Sequence, residues 1–305
     1  MNEKEIDDHL VRKHLEDCSA RLSPNTVKNH KVCLNKFRNF LDGKRITDAT
    51  LIDIREFLNS MKEKGIARST LSAELGVIRS FFRYIETYHH VVMPSLAGID
   101  INSYPKARWE GQGQDPLNRN EVRALIEAAE NLRDTLIIAM LYYLGLRVKE
   151  LALLKIENVD INNRVVEVIG KGNKPRKVPY SSKLDRPIHE WLFVERRSYV
   201  NCISNYFFPS MHDEHLRTNS IYGIVYKAAT KAGIQKVIGT RSNGSKMYKV
   251  HPHILRHSYA THASDDDIPL YLIQQMMGHT HIGTTLKYAG ELSPFKSYHE
   301  KFKGV

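Results

Sequence analysis

Residues 136–144 read L-I-I-A-M-L-Y-Y-L, a run that is apolar nearly all round. A helix without a polar stripe has to be covered on every side or cross a membrane. Crossing takes about 20 consecutive apolar residues, and no stretch of the chain is that long. The run must therefore be central to a core, and the sequence around it has to supply the covering elements.

With 305 residues the chain has material for about two domains, each with its own interior. Residues 1–95 read as four helices. The first is acidic (Glu3, Glu5, Asp7, Asp8). Ser23-Pro24 caps and opens the second, along which Val27, His30, Leu34, Phe37 and Leu41 recur at steps of three and four. A third is expected to start near Thr47-Asp48 and end at Gly65, and a fourth carries Leu71, Leu75, Ile78, Phe82 and Ile85. From 96 to 115 the periodicity stops and Gly, Pro, Asn and Ser take over, which marks a linker.

Residues 116–305 form the second domain. Helices are expected at 118–130 and 133–144; Gly145 breaks the second, and L-R-V-K-E-L-A-L-L restarts with Arg147 at its head and Glu150 one turn on. Residues 159–180 hold the one convincing sheet, with Val165, Glu167, Ile169 and then Val178 framing a glycine-rich turn that carries Lys171, Lys174, Arg176 and Lys177. Helices near 184–200 and 219–233 lead to a second hairpin around Asn243-Gly244, with Lys236, Arg241, Lys246 and Lys249. Asp265 to Asp267 look like the start of a helix that ends at Gly278, and Thr284-Thr285 caps a short one holding Tyr288. The fold class is mainly α with a small antiparallel β-sheet, α+β overall.

The net charge of +11 points to a polyanionic partner. Residues 1–100 carry 16 Lys and Arg against 14 Asp and Glu, and the remainder 29 against 20, so most of the excess lies in the second domain. In the first, Lys28, Lys31 and Lys36, or Arg68, Arg79 and Arg83, face DNA or are merely solvated; Lys106 and Arg108 in the linker lie along a phosphate backbone or in a solvated tether. Cys18, Cys33 and Cys202 are far apart with no C-x-x-C, so neither a disulfide framework nor a zinc knuckle is indicated, and they read as reduced core thiols. M-N-E-K-E-I-D-D resembles neither a signal nor a transit peptide, and a cytoplasmic protein without membrane attachment is expected.

In H-P-H-I-L-R-H-S-Y-A-T-H at 251–262, Pro252 suits the first position of a helix. On a helical period His253, Arg256, His257 and Ala260 share a face, expected to be wet and cationic, with Ala260 small enough to let a backbone approach. Such a face suits a phosphate: arginine forks onto two oxygens and a neutral imidazole exchanges a proton near neutrality. The His253–His257 spacing also fits a metal pair, or structural histidines. With Arg147, Lys171, His279 and Tyr288 the list lacks a carboxylate cluster for Mg²⁺. Phosphoryl chemistry without metal takes its charge stabilisation from arginines and its protons from His and Lys. No metal or other cofactor is expected.

The order of motifs resembles the tyrosine recombinases, or phage integrase family: G-L-R-V-K-E-L at 145–151, G-K-G-N-K-P-R-K-V-P at 170–179, H-I-L-R-H at 253–257, G-H at 278–279 and T-T-L-K-Y at 284–288. M-M-G-H departs from the more usual leucine before glycine, and 238–248 is longer than usual. The resemblance implies an N-terminal four-helix SAM-like core-binding domain and a mixed catalytic domain, of Xer-like size. It implies Tyr288 as nucleophile, Arg147 and Arg256 on the scissile phosphate, Lys171 as proton donor to the leaving 5′ oxygen, His253 on the tyrosine proton and His279 on the phosphate. Glu150 and His257 support the site. It also implies strand exchange through a Holliday junction by a homotetramer, monomeric in solution, on two double-stranded sites with inverted repeats. A type IB topoisomerase would relax plasmids lacking any site, a metal-free ribonuclease would have no need of Tyr288, and a non-catalytic DNA-binding relative would have lost one of the six residues.

Overall fold

The computed structural model describes residues 3–104, 115–170, 174–199, 203–240 and 245–278. The chain divides into two units, Met1–Gln112 with Thr240–Lys246, and Gly113–Gly239 with Met247–Val305.

The first unit begins with four helices, α1 (Glu3–Arg21), α2 (Pro24–Phe40), α3 (Leu51–Glu63) and α4 (Arg68–His89). The Ser23 hydroxyl caps α2 by accepting from the Thr26 N–H. The third helix starts later than the sequence implied. Ile46–Asp48 is a separate 3-10 turn, and Thr50 caps α3 because Asp53 returns the bond, accepting from the Thr50 N–H at 2.6 Å. Leu34, Phe37, Ile54, Leu58, Leu75, Ile78, Phe81 and Ile85 form the interior.

The first part of the expected linker is packed rather than tethered. Leu96 and Ile99 are buried in the same core. Arg55 donates to the Gly98 carbonyl at 3.1 Å and Arg79 to that of Leu96 at 3.1 Å, while Arg68 reaches Asn102 at 3.5 Å. Turn-forming composition hid two apolar anchors.

In the second unit α5 (Arg119–Glu127) and α6 (Leu132–Tyr143) precede a short α7 (Val148–Ala152). As its sequence requires, α6 is enclosed, with Leu136 through Leu141 all buried or nearly so. Strands β1 (Val159–Asp160), β2 (Val165–Ile169) and β3 (Pro175–Pro179) form an antiparallel sheet in that order. Val166 pairs with Val178, and Val166, Val168 and Val178 point inward, while Ile169 is 58% exposed. Next come α8 (Asp185–Phe193) and α9 (Thr218–Lys231), a two-stranded sheet of β4 (Val237–Thr240) and β5 (Lys246–Tyr248), and finally α10 (Pro252–Asp265) and α11 (Leu270–Met277).

Asp265 to Asp267 end a helix instead of starting one. Asp265 is the last residue of α10 and Asp267 has a left-handed φ of 59°, so the chain turns before Pro269 opens α11. Among the described residues no helix is long and apolar enough to cross a membrane.

Candidate active site

The histidine-arginine helix is less wet than its sequence suggests. Arg256 is 4% exposed and Ala260 fully buried, the latter packed with Ala263, Ile273 and Met277 between α10 and α11. Ala260 thus admits a neighbouring helix of the same chain. His253 reaches solvent and His257 is half-buried. The protein packed around it lowers the His253 pKa below 6.5, and the charges of Arg256 and Arg147 lower it further. Burial likewise lowers that of His257, with Asp115 opposing.

Gly145 brings the first motif to this helix. It sits beyond α6 with φ of 57°, and a Cβ there would lie 2.5 Å from the Tyr259 ring, so only glycine allows both the turn and the approach. Two residues on, Arg147 opens α7 and its backbone N–H donates to the Glu150 carboxylate at 2.8 Å.

Glu150 is the hub, with a side chain 3% exposed. Arg147 Nη1 donates to it at 2.8 Å, Arg176 forks onto both oxygens at 2.7 and 2.8 Å, and Arg256 stands 4.0 Å away. Burial alone would raise the carboxyl pKa, but the hydrogen bonds from Arg176 and from the Arg147 backbone and side chain outweigh it and hold the pKa below 4.5. Three guanidinium ions around one carboxylate leave a net positive site in which an anion is favoured.

The same arginines close the end of α11. Arg176 Nε donates to the Met276 carbonyl at 2.6 Å, Arg256 to those of Met277 and Gly145, and Arg147 to that of Gly278 at 3.1 Å. The carbonyls at the end of α11 lack intrahelical partners and carry the negative end of the dipole, so cations are favoured there.

Arg176 is therefore not the DNA-facing side chain the sequence reading made it. Its side chain is 10% exposed and its donors go to Glu150 and Met276. The period of the strand held the signal: Arg176 lies on the face of buried Val178, whereas Lys177 lies on the other face and is exposed, as is Lys174 ahead of the strand. Arg83 and Lys246 are exposed as well. Lys171, His279, Tyr288, Lys106, Arg108 and Arg241 lie outside the described residues.

Residues 116–293 match the phage integrase family, and residues 13–87 match the phage integrase N-terminal SAM-like domain. The chain belongs to the phage integrase family. It is 32% identical over 289 residues to the tyrosine recombinase XerD of Haemophilus influenzae, covering 92% of each chain. To the XerD of Staphylococcus saprophyticus it is 29% identical, over 92% of this chain and 93% of the relative. Among solved structures it resembles the Tn1549 transposon integrase in complex with transposon right-end DNA, with TM-score 0.74, 18% identity, and 95% and 98% of the two chains covered. The XerH site-specific recombinase bound to palindromic difH substrate, a post-cleavage complex, gives 0.68 with 20% identity over 90% and 78%. The fold, a SAM-like helical domain and a mainly helical catalytic domain with small antiparallel sheets, is that of the tyrosine recombinases.

Proposed function

We propose that this member of the phage integrase family is a site-specific DNA recombinase whose cleavage step leaves the DNA 3′-phosphate on Tyr288. The observation that carries the reading is the cluster of Arg147, Arg176 and Arg256 on the single buried carboxylate of Glu150, with the charges of Arg256 and Arg147 acting on His253. DNA has no 2′-hydroxyl to attack its own phosphate, so the nucleophile comes from water or the protein, and a tyrosine ester keeps the bond energy for rejoining. Arg147 and Arg256 neutralise the non-bridging oxygens of the scissile phosphate. His253 takes the tyrosine proton; Lys171 protonates the departing 5′ oxygen; His279 donates to the phosphate; His257 supports the neighbouring ring. Glu150 and, through it, Arg176 hold the arginines in position.

The partner is double-stranded DNA with inverted repeats, bound by a homotetramer that assembles from monomers on two sites and exchanges strands through a Holliday junction. Exposed Arg83, Lys174, Lys177 and Lys246, with Arg68, Arg79, Lys106, Arg108 and Arg241, provide contacts to the phosphate backbone. The protein acts in the cytoplasm. Mobile elements and chromosomes both present such sites, so the DNA flanking the gene is the place to find the substrate.

Tyr288→Phe tests the assignment, because it retains the ring and loses only the attacking oxygen. It should bind a target duplex as wild type does and give no denaturation-resistant protein–DNA adduct, with or without magnesium. An adduct that persists through Tyr271 or Tyr298 overturns the assignment, and efficient relaxation of plasmids lacking any site replaces recombination by a topoisomerase activity.

A further inference from the structure

Away from the arginine cluster, the N-terminal unit holds a group of side chains that the recombination chemistry does not use. His14 and Cys18 are four residues apart on α1 and so share a face, and α2 returns alongside to bring His30 to them. All three are buried, at 0%, 0% and 8% exposure. Phe81 and Tyr84 of α4 stand edge-on to the His14 ring, each with centroids 5.2 Å apart, and screen it from solvent.

The three distances among the donor atoms decide how to read the group. His14 Nε2 and His30 Nδ1 are 3.4 Å apart, and Cys18 Sγ is 3.4 Å from the first and 3.7 Å from the second. Zinc bonds of about 2.05 Å to nitrogen and 2.3 Å to sulfur, opened to a tetrahedral angle, separate two nitrogens by about 3.4 Å and nitrogen from sulfur by about 3.6 Å. Each edge of the observed triangle lies within about 0.2 Å of these separations. As a hydrogen bond, a nitrogen–nitrogen separation of 3.4 Å is long against the usual upper limit of about 3.2 Å. Among the described residues this is the group of His, Cys, Asp and Glu whose ligand atoms converge closely enough to hold an ion.

We propose that His14, Cys18 and His30 bind one Zn²⁺ ion as a structural site that pins α1 to α2, with the fourth corner of the tetrahedron left to a water. Two imidazoles and a thiolate suit this borderline-soft cation, which takes tetrahedral geometry. Uptake of Zn²⁺ exchanges the Cys18 S–H bond for a Zn–S bond and releases one proton to solvent. The site has a use in the fold. Leu10 and Val11 of α1 are buried, with Ile6 and Leu15 packed on the same core, and a metal link at His14 and Cys18 would tie the C-terminal half of the helix to α2.

The test uses the full-length protein, stripped with a chelator under reducing conditions and titrated without DNA. Co²⁺ should saturate at one equivalent, giving a thiolate-to-cobalt charge-transfer band with visible bands of tetrahedral intensity, and Zn²⁺ should bleach both. Cys18→Ser should abolish the charge-transfer band and His30→Gln should weaken binding at least tenfold, whereas Cys33→Ser and Cys202→Ser should match wild type. Zn²⁺ should raise the melting temperature of the wild type and not of Cys18→Ser. A wild-type protein that shows no saturable cobalt band overturns the proposal, whatever the variants do. So does a band that survives in Cys18→Ser or vanishes in Cys202→Ser, and uptake of Cu⁺ with none of Co²⁺ or Zn²⁺ overturns the choice of metal.

Discussion

Replacing Glu150 by glutamine removes a charge and almost no volume, and the structure sets the size of the effect. The carboxylate is 3% exposed, so solvent does not screen it, and it accepts from two arginine side chains and one backbone N–H. Removing one partner of a buried ion pair costs about 3–5 kcal/mol. Glutamine keeps an acceptor oxygen, which places the loss near the lower end, at about 3 kcal/mol. For a domain of this size each kcal/mol lowers the melting temperature by about 2–4 °C, so Glu150→Gln should melt roughly 6–12 °C below wild type. Calorimetry of the DNA-free protein should place the loss on the transition of the unit that contains α5 to α11, with the N-terminal unit unaffected.

The sign with pH follows. The folded-state pKa of Glu150 lies below 4.5, so its stabilisation is fully present above that value and fades as pH falls through the folded pKa. The variant should therefore lose part of the acid sensitivity of the wild type. Arg176→Met on top of Glu150→Gln should cost less than the two single changes added, because the second substitution removes a cation that the first left unpaired. If Glu150→Gln melts within about 2 °C of wild type, or the two costs simply add, the carboxylate is not the hub described above.

Two further expectations concern residues proposed from the family pattern. Lys171→Ala should cleave an ordinary site very slowly yet recover on DNA with sulfur at the bridging 5′ position, since a thiol with a pKa of about 8.5 leaves without a proton donor while Arg147→Ala and Arg256→Ala should not recover; equal defects on both substrates would remove Lys171 from the catalytic set. Ending the chain after Leu292 deletes the stripe of Phe295, Tyr298 and Phe302, which we propose docks on a neighbouring protomer, so synapsis measured by two-site gel shift should fail while single-site binding holds; unchanged recombination would dispose of the idea.

What the sequence showed depended on how local the signal was. Caps and periodicity are written in neighbouring residues, and Ser23-Pro24, the apolar run at 136–144 and Pro252 placed α2, α6 and α10 correctly. Competing local signals misled: Thr47-Asp48 offers a cap, but Thr50 has the reciprocal Asp53; three aspartates resemble a helix start, but Asp267 takes a left-handed turn. Arg147, Glu150 and Arg256 were legible because they sit in motifs. Arg176 stood in one too, yet its task was hidden, because its partners are 26 and 100 residues away. His14, Cys18 and His30 were illegible for the same reason: H-x-x-x-C on one helix and a histidine on the next become a group only when α1 and α2 pack.

A carboxylate at the centre of an anion site is at first sight a liability, since its charge opposes that of the ligand. The geometry resolves this. Side chains of Arg147, Arg176 and Arg256 arrive from α7, β3 and α10, and without an internal anion three guanidinium ions would repel one another in a poorly hydrated space. Glu150 offsets one charge and fixes the forks of two of them, while the carbonyls of Met276, Met277 and Gly278 orient the third and hold all three to the end of α11. An electrostatic site assists a reaction to the extent that its donors are oriented before charge develops, because they then need no reorganisation in the transition state. On the proposed reading, Glu150 gives up some affinity for the phosphate and in return keeps the arginines where the developing charge needs them.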